Sequence, residues 1–188
     1  MQRVAVFLLV ALAGCTAIAP PAPLPVAVGS PPGYPPRIGE ISAVLNGKPV
    51  AWQTYDFSLG TRDASAQFVG SKAAPTFRML GFPPGQPKAA SNRLTMKGSG
   101  AAQAGALQDV LIEVIAGNNW DGLRLSSAGQ AASLVLDKVV AKTGGYGHAS
   151  GHFAAVLCRA NGVPVQVDVR YCQDMTGKFE TDFQYGMN

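Results

Sequence analysis

Ile38-Gly39-Glu40-Ile41-Ser42-Ala43-Val44-Leu45, Asn46-Gly47 and Lys48-Pro49-Val50-Ala51-Trp52-Gln53-Thr54-Tyr55-Asp56-Phe57 read as two strands around a tight turn. Asn-Gly supplies the two positive-φ positions of a type I′ turn, whose twist matches that of antiparallel strands. A two-residue turn sets the register: Leu45 faces Lys48, Ala43 faces Val50, and Ile41 faces Trp52. The latter two pairs are apolar on both sides, as one buried face of a sheet requires. Trp52 is therefore expected in the core. Tyr55 and Phe57 fall on the opposite face of their strand and are free for contact with a ligand or partner.

The rest of the chain repeats this grammar. Short β-rich runs at Ala64–Val69, Thr76–Leu80, Arg93–Lys97, Leu107–Ile115, Gly122–Ser126, Ala131–Lys142, His152–Arg159, Val163–Arg170 and Gly177–Tyr185 alternate with Gly, Asn, Asp and Pro punctuation. Ala101 to Ile115 also reads as a helical turn at its start. Ala131 to Lys142 also fits an amphipathic helix, although Val135, Val139 and Val140 favour a strand. Many short strands with little helical period predict an all-β domain over 38–188, an antiparallel β-sandwich or open barrel.

Composition agrees. The chain has 188 residues, 47% hydrophobic and 14% charged, enough apolar content for a core. A net charge of +4, without clustering along the sequence, gives no reason to expect nucleic acid.

Ahead of the domain lie two segments of different chemistry. Eight of the fourteen prolines fall between Pro20 and Pro36, where neither helix nor central strand can form. Pro31-Pro32-Gly33-Tyr34-Pro35-Pro36 has the composition of a ligand for a proline-recognising groove. An extended spacer lifting a domain off a membrane explains the whole run more simply. Before it, a basic Met1-Gln2-Arg3 precedes an apolar run from Val4 to Leu12, then Ala13, Gly14 and Cys15. Nine apolar residues are too few to span a bilayer, which takes about 20, but suit a secretory signal peptide. Leu12-Ala13-Gly14-Cys15 resembles the lipobox of bacterial lipoproteins.

The resemblance implies removal of residues 1–14, acylation of Cys15, and a lipidated tether over 15–37. Within that family an Asp after the Cys commonly retains the protein in the inner membrane. Thr16 stands there in this chain, which implies the outer membrane, facing the periplasm. Anchoring by several acyl chains follows from about 0.8 kcal/mol per buried methylene.

Setting Cys15 aside leaves Cys158 and Cys172, an even pair for an oxidising compartment. A disulfide is expected, with two free buried thiols as the alternative. Asn161-Gly162 complicates the pairing. A tight turn there opposes Cys158 to Val165 and Cys172 to Gly151, far too distant for a bridge. The expected resolution is an excursion over 159–171 closed at its base by the disulfide, with Gly177–Tyr185 pairing back onto His152–Arg159.

Chemistry-bearing residues are few. His148 and His152 are four apart in Gly147-His148-Ala149-Ser150-Gly151-His152, and on a strand they share a face, which makes them the weak candidates for a metal. A third ligand is not evident, and solvated loop histidines are the plainer reading. No G-x-S-x-G occurs, and Gly145-Tyr146-Gly147 is not followed by the helix a phosphate loop needs. These patterns predict no enzyme and no cofactor. For contact with small molecules or partners, the candidates are Trp120 in the polar turn Asn118-Asn119-Trp120-Asp121-Gly122, Phe82 in the stiff loop Gly81-Phe82-Pro83-Pro84-Gly85, and Tyr55. The expected function is docking with another envelope protein. A small-molecule, glycan or metal-binding module is the alternative.

Overall fold

The Asn46-Gly47 turn forms with φ of 48° and 75°, and the register of the two flanking strands matches the one its sequence predicts, with Ile41 opposite Trp52 and both buried. This is seen in a computed structural model, which describes residues 33–57, 64–71, 73–116 and 123–187. Cys15, Trp120, the signal segment and nearly all of the proline run lie outside the described residues.

The strands are β1 (Arg37–Leu45), β2 (Lys48–Tyr55), β3 (Ala66–Ser71), β4 (Ala74–Gly81), β5 (Arg93–Ser99), β6 (Gly105–Ala106), β7 (Gln108–Ile115), β8 (Arg124–Ser126), β9 (Ala132–Ala141), β10 (Tyr146–Asn161) and β11 (Gln166–Met187). The domain is all-β, as expected. Both helix-or-strand ambiguities resolve as strand, consistent with the β-branched residues in each run.

All eleven strands belong to one sheet. Its ladders run β11–β3, β3–β4, β4–β5, β5–β7, β7–β8, β8–β10 and back through β10–β11. The sheet therefore curls round on itself, the barrel form of the sandwich-or-barrel class. One ladder departs from the antiparallel expectation: Gln184–Met187 of β11 runs parallel to Gln67–Gly70 of β3. Alternation along a strand reports which face is buried but not the direction of its neighbour, so the sequence carries no signal for this ladder. Inward-facing side chains from nearly every strand make one core, including Ile41, Trp52, Phe68, Phe77, Leu94, Ile112, Leu134, Phe153, Leu157, Phe179 and Phe183.

The centre of the sheet differs from expectation in an instructive way. The expected strand began at His152 and left Gly145 to Gly151 outside it, yet residues from Tyr146 onward are strand. Three of the glycines are there for space. On β10, Gly147 lies opposite Phe183 and Gly151 opposite Phe179; on β11, Gly177 lies opposite Phe153. A Cβ at Gly151 would sit 2.7 Å from Cζ of Phe179, and one at Gly177 2.5 Å from Cζ of Phe153. Each phenyl ring thus covers its cross-strand glycine, replacing the packing that a glycine lacks. Consequently Gly177–Tyr185 pairs with 145–153 rather than with His152–Arg159, because β11 continues unbroken from Cys172 and Gln173–Thr176 takes the places opposite Ala154–Leu157.

Gly151→Val is expected to destabilise the domain by at least about 1–3 kcal/mol, the cost of overpacking a core that cannot yield. Exposed Lys178→Ala on the facing strand should stay within about 0.5 kcal/mol. Urea unfolding of the two variants checks the contrast.

Candidate functional site

Beyond Cys158 the β10–β11 ladder changes character. Cys158 faces Cys172 directly, whereas the next residue, Arg159, faces Asp168, so Val169, Arg170 and Tyr171 bulge out of β11. Ladder pairing then resumes to Asn161 opposite Gln166, and residues 162–165 make the turn. The turn is thus four residues, not the expected tight turn at Asn161-Gly162; it shifts the register by four positions and the bulge by three more, which together bring Cys158 opposite Cys172. Cys158 and Cys172 form a disulfide, as expected. The excursion over 159–171 is itself largely ladder, not loop.

Two further contacts fix this tip. Arg124 on β8 is buried, and its Nη2 donates to the Gly162 carbonyl at 2.9 Å while Nη1 lies 4.0 Å from Glu113 Oε1. A buried guanidinium needs such partners to offset its desolvation. Arg170 grips Asp168 through Nε and Nη2, both at 2.9 Å. That fork holds the Asp168 carboxyl well below its usual range, at about 2.

What the tip presents is apolar. Val163, Val169 and Tyr171 are 63%, 64% and 57% exposed, with Val165 also exposed. Val169 and Tyr171 border a hollow of about 660 Å³ whose other lining includes Arg159, Gln166, Asp168 and Arg170. Arg170 lies 5.8 Å over the Tyr171 ring. A protruding cluster of large apolar side chains on a braced hairpin suits contact with another macromolecule.

The two histidines sit on β10, not in a loop, and each has its own acidic neighbours. His148 lies 2.8 Å from Asp182 and 3.2 Å from Glu180, and His152 lies 2.9 Å from Asp137. They point the same way along the strand, as their spacing predicts. Among the described residues no group of three or more His, Cys, Asp or Glu is arranged to hold a metal. Burial raises the Asp182 pKa, but the hydrogen bonds from Lys142 and His148 outweigh it and hold the group below its ordinary value. Lys142, His148, Glu180 and Asp182 form one surface polar group between the β9 end, β10 and β11, and His152 with Asp137 forms a separate pair.

Tyr55 and Phe82 are not free for contact in the way the sequence suggested. Both are buried. Phe82 bridges to Gln53 of β2 through two backbone hydrogen bonds, 2.8 and 2.9 Å, which fold the proline loop over the outer side of the hairpin. Tyr55, Phe57 and Phe82 then pack edge to face, with centroids 5.6–6.3 Å apart. The Tyr55 hydroxyl donates to Gln53 Oε1 at 2.7 Å, and burial pushes its pKa up. A bridge between β2 and a loop residue nearly thirty positions away leaves no local pattern to read.

Compared with known proteins, the chain matches no family model, no curated protein and no solved structure.

Opening the bridge with Cys158→Ala and Cys172→Ala together is expected to cost about 3 kcal/mol, the chain-entropy value for a separation near 14 residues. Hydrogen exchange should show protection lost over 159–171 and retained at Ile112 in β7. Uniform loss across both regions would show that the bridge supports the whole domain rather than the tip.

Proposed function

We propose that this is a lipid-anchored envelope lipoprotein whose non-catalytic β domain docks onto another envelope protein through the β10–β11 tip. The observation that carries the reading is the tip itself: Val163, Val165, Val169 and Tyr171 stand exposed on a hairpin held by a disulfide and by Arg124. Large apolar groups are ordinarily withdrawn from water, and a pre-braced surface loses little conformational freedom on binding. Arg159 and Arg170 flank the patch, so the complementary surface is an apolar groove with an acidic rim.

The anchor rests on the lipobox resemblance at Leu12-Ala13-Gly14-Cys15, with Thr16 favouring the outer membrane and a periplasm-facing domain. The proline-rich stretch behind it gives the domain reach. A disulfide suits an oxidising compartment of that kind.

A photo-crosslinking residue at Val169 in cells is expected to trap one protein partner. The adduct should vanish when Tyr171→Asp is added to a chain that still folds, and the same probe at Lys138 should trap nothing. Equal adducts from both positions, or an adduct indifferent to Tyr171→Asp, would overturn the docking surface. For the anchor, Cys15→Ala should leave an uncleaved, unacylated product of changed mass that fractionates away from the mature form. A product of unchanged mass and fractionation would sink the lipid reading.

A further inference from the structure

A second concavity lies on the outer face of β3, β4, β5 and β7, apart from the residues of the tip. Its volume is about 800 Å³, and the loop after β4 forms one wall through Phe82, Pro87, Lys88 and Ala89. The floor follows from strand alternation. Arg78 and Leu80 of β4 face outward opposite Lys97 and Thr95 of β5, while Leu111 and Glu113 of β7 continue the same rows.

The charge on this floor is one-sided. Among the described residues, Arg78, Lys88, Arg93 and Lys97 line it against a single carboxylate, Glu113, which lies beside Arg124. Among the described residues, none of the four cations has an ion-pair partner. Arg78 and Lys97 are direct cross-strand partners, an arrangement of like charges that destabilises a sheet. Nε of Arg93 is buried with no hydrogen-bond partner among the described residues, a further cost. All three features are relieved by an anion seated between these side chains. Apart from the amide of Gln67, the remainder of the lining is apolar or hydroxylic, including Phe57, Leu80, Phe82, Leu111, Ser65 and Thr95.

We propose that this cleft binds a phosphate monoester carrying an apolar body. The guanidinium forks of Arg78 and Arg93 match a phosphoryl group in geometry, and two lysines add charge for a group near −2. Phe57, Leu80 and Leu111 receive the apolar portion. The site is independent of the docking surface, since it uses none of the same residues. A membrane lipid and a soluble metabolite can both present this chemistry.

The test is calorimetric titration of the full chain in non-ionic detergent with four probes: dihexanoyl phosphatidic acid, 1-naphthyl phosphate, inorganic phosphate and dihexanoyl phosphatidylcholine. Saturable binding of at least one of the first two is expected, at least tenfold tighter than either of the last two. Preference for the phosphatidic acid marks a lipid source, and preference for the naphthyl ester a soluble one; each supports the site. Arg93→Gln should weaken binding at least tenfold. Lys97→Gln, at an exposed position and relieving the like-charge pair with Arg78, should weaken it severalfold while the chain is no less resistant to unfolding. No saturable binding, equal binding of phosphatidylcholine, or affinity indifferent to both substitutions would overturn the proposal.

Discussion

Phenyl rings seated on glycines across the β10–β11 ladder are the constraint on which the rest of the structure depends. Gly147 under Phe183, Gly151 under Phe179 and Gly177 under Phe153 lock the two longest strands in one register, because a slip of one residue would drive side chains into rings. Both edges of this pair are then used. Opposite its β10 edge, β11 carries β1 along Gly39–Leu45 and β3 beyond it, while β10 carries β9 and then β8. The rings also reach along the sheet to β3 and β4: Phe179 stacks with Phe77 and Phe183 meets Phe68 edge-on. Register along the seam and closure of the sheet are therefore one problem with one solution.

How much of this was legible depends on distance along the chain. The first hairpin was readable to the residue because its turn and both strands are contiguous. The cysteine pair was readable from its even number once Cys15 is set aside, and even the conflict with Asn161-Gly162 was visible; the longer turn at 162–165 and the bulge at 169–171, which together resolve it, were not. Glycines misled the reading of 145–151, where they serve as space for aromatic rings and not as punctuation. That signal lies in matching the Gly147-x-x-x-Gly151 spacing to Phe179-x-x-x-Phe183, which requires knowing that the strands pair.

The basic cleft was illegible for a related reason. Arg78, Arg93 and Lys97 are unremarkable singly, and a net charge spread evenly in sequence concealed a one-sided distribution in space. The outward alternation Arg93-x-Thr95-x-Lys97 was present to be read, yet its meaning needed β4 alongside with Arg78 opposite Lys97. Tyr55 and Phe82 illustrate the converse. Each looked available in its own segment; Tyr55 is consumed by packing against Phe82, which keeps only its side toward the basic cleft.

The placement of β11 after every other strand governs how the molecule is made. A chain that folds from its N-terminal end will complete the first hairpin early, but Ile41 has no inner-edge neighbour until Phe179 arrives. Through that interval β1 presents an open, β-branched edge, and closure waits on contacts of long sequence separation. Closure of the sheet is therefore slow relative to local hairpin formation, and the half-sheet stays exposed until β11 is in place.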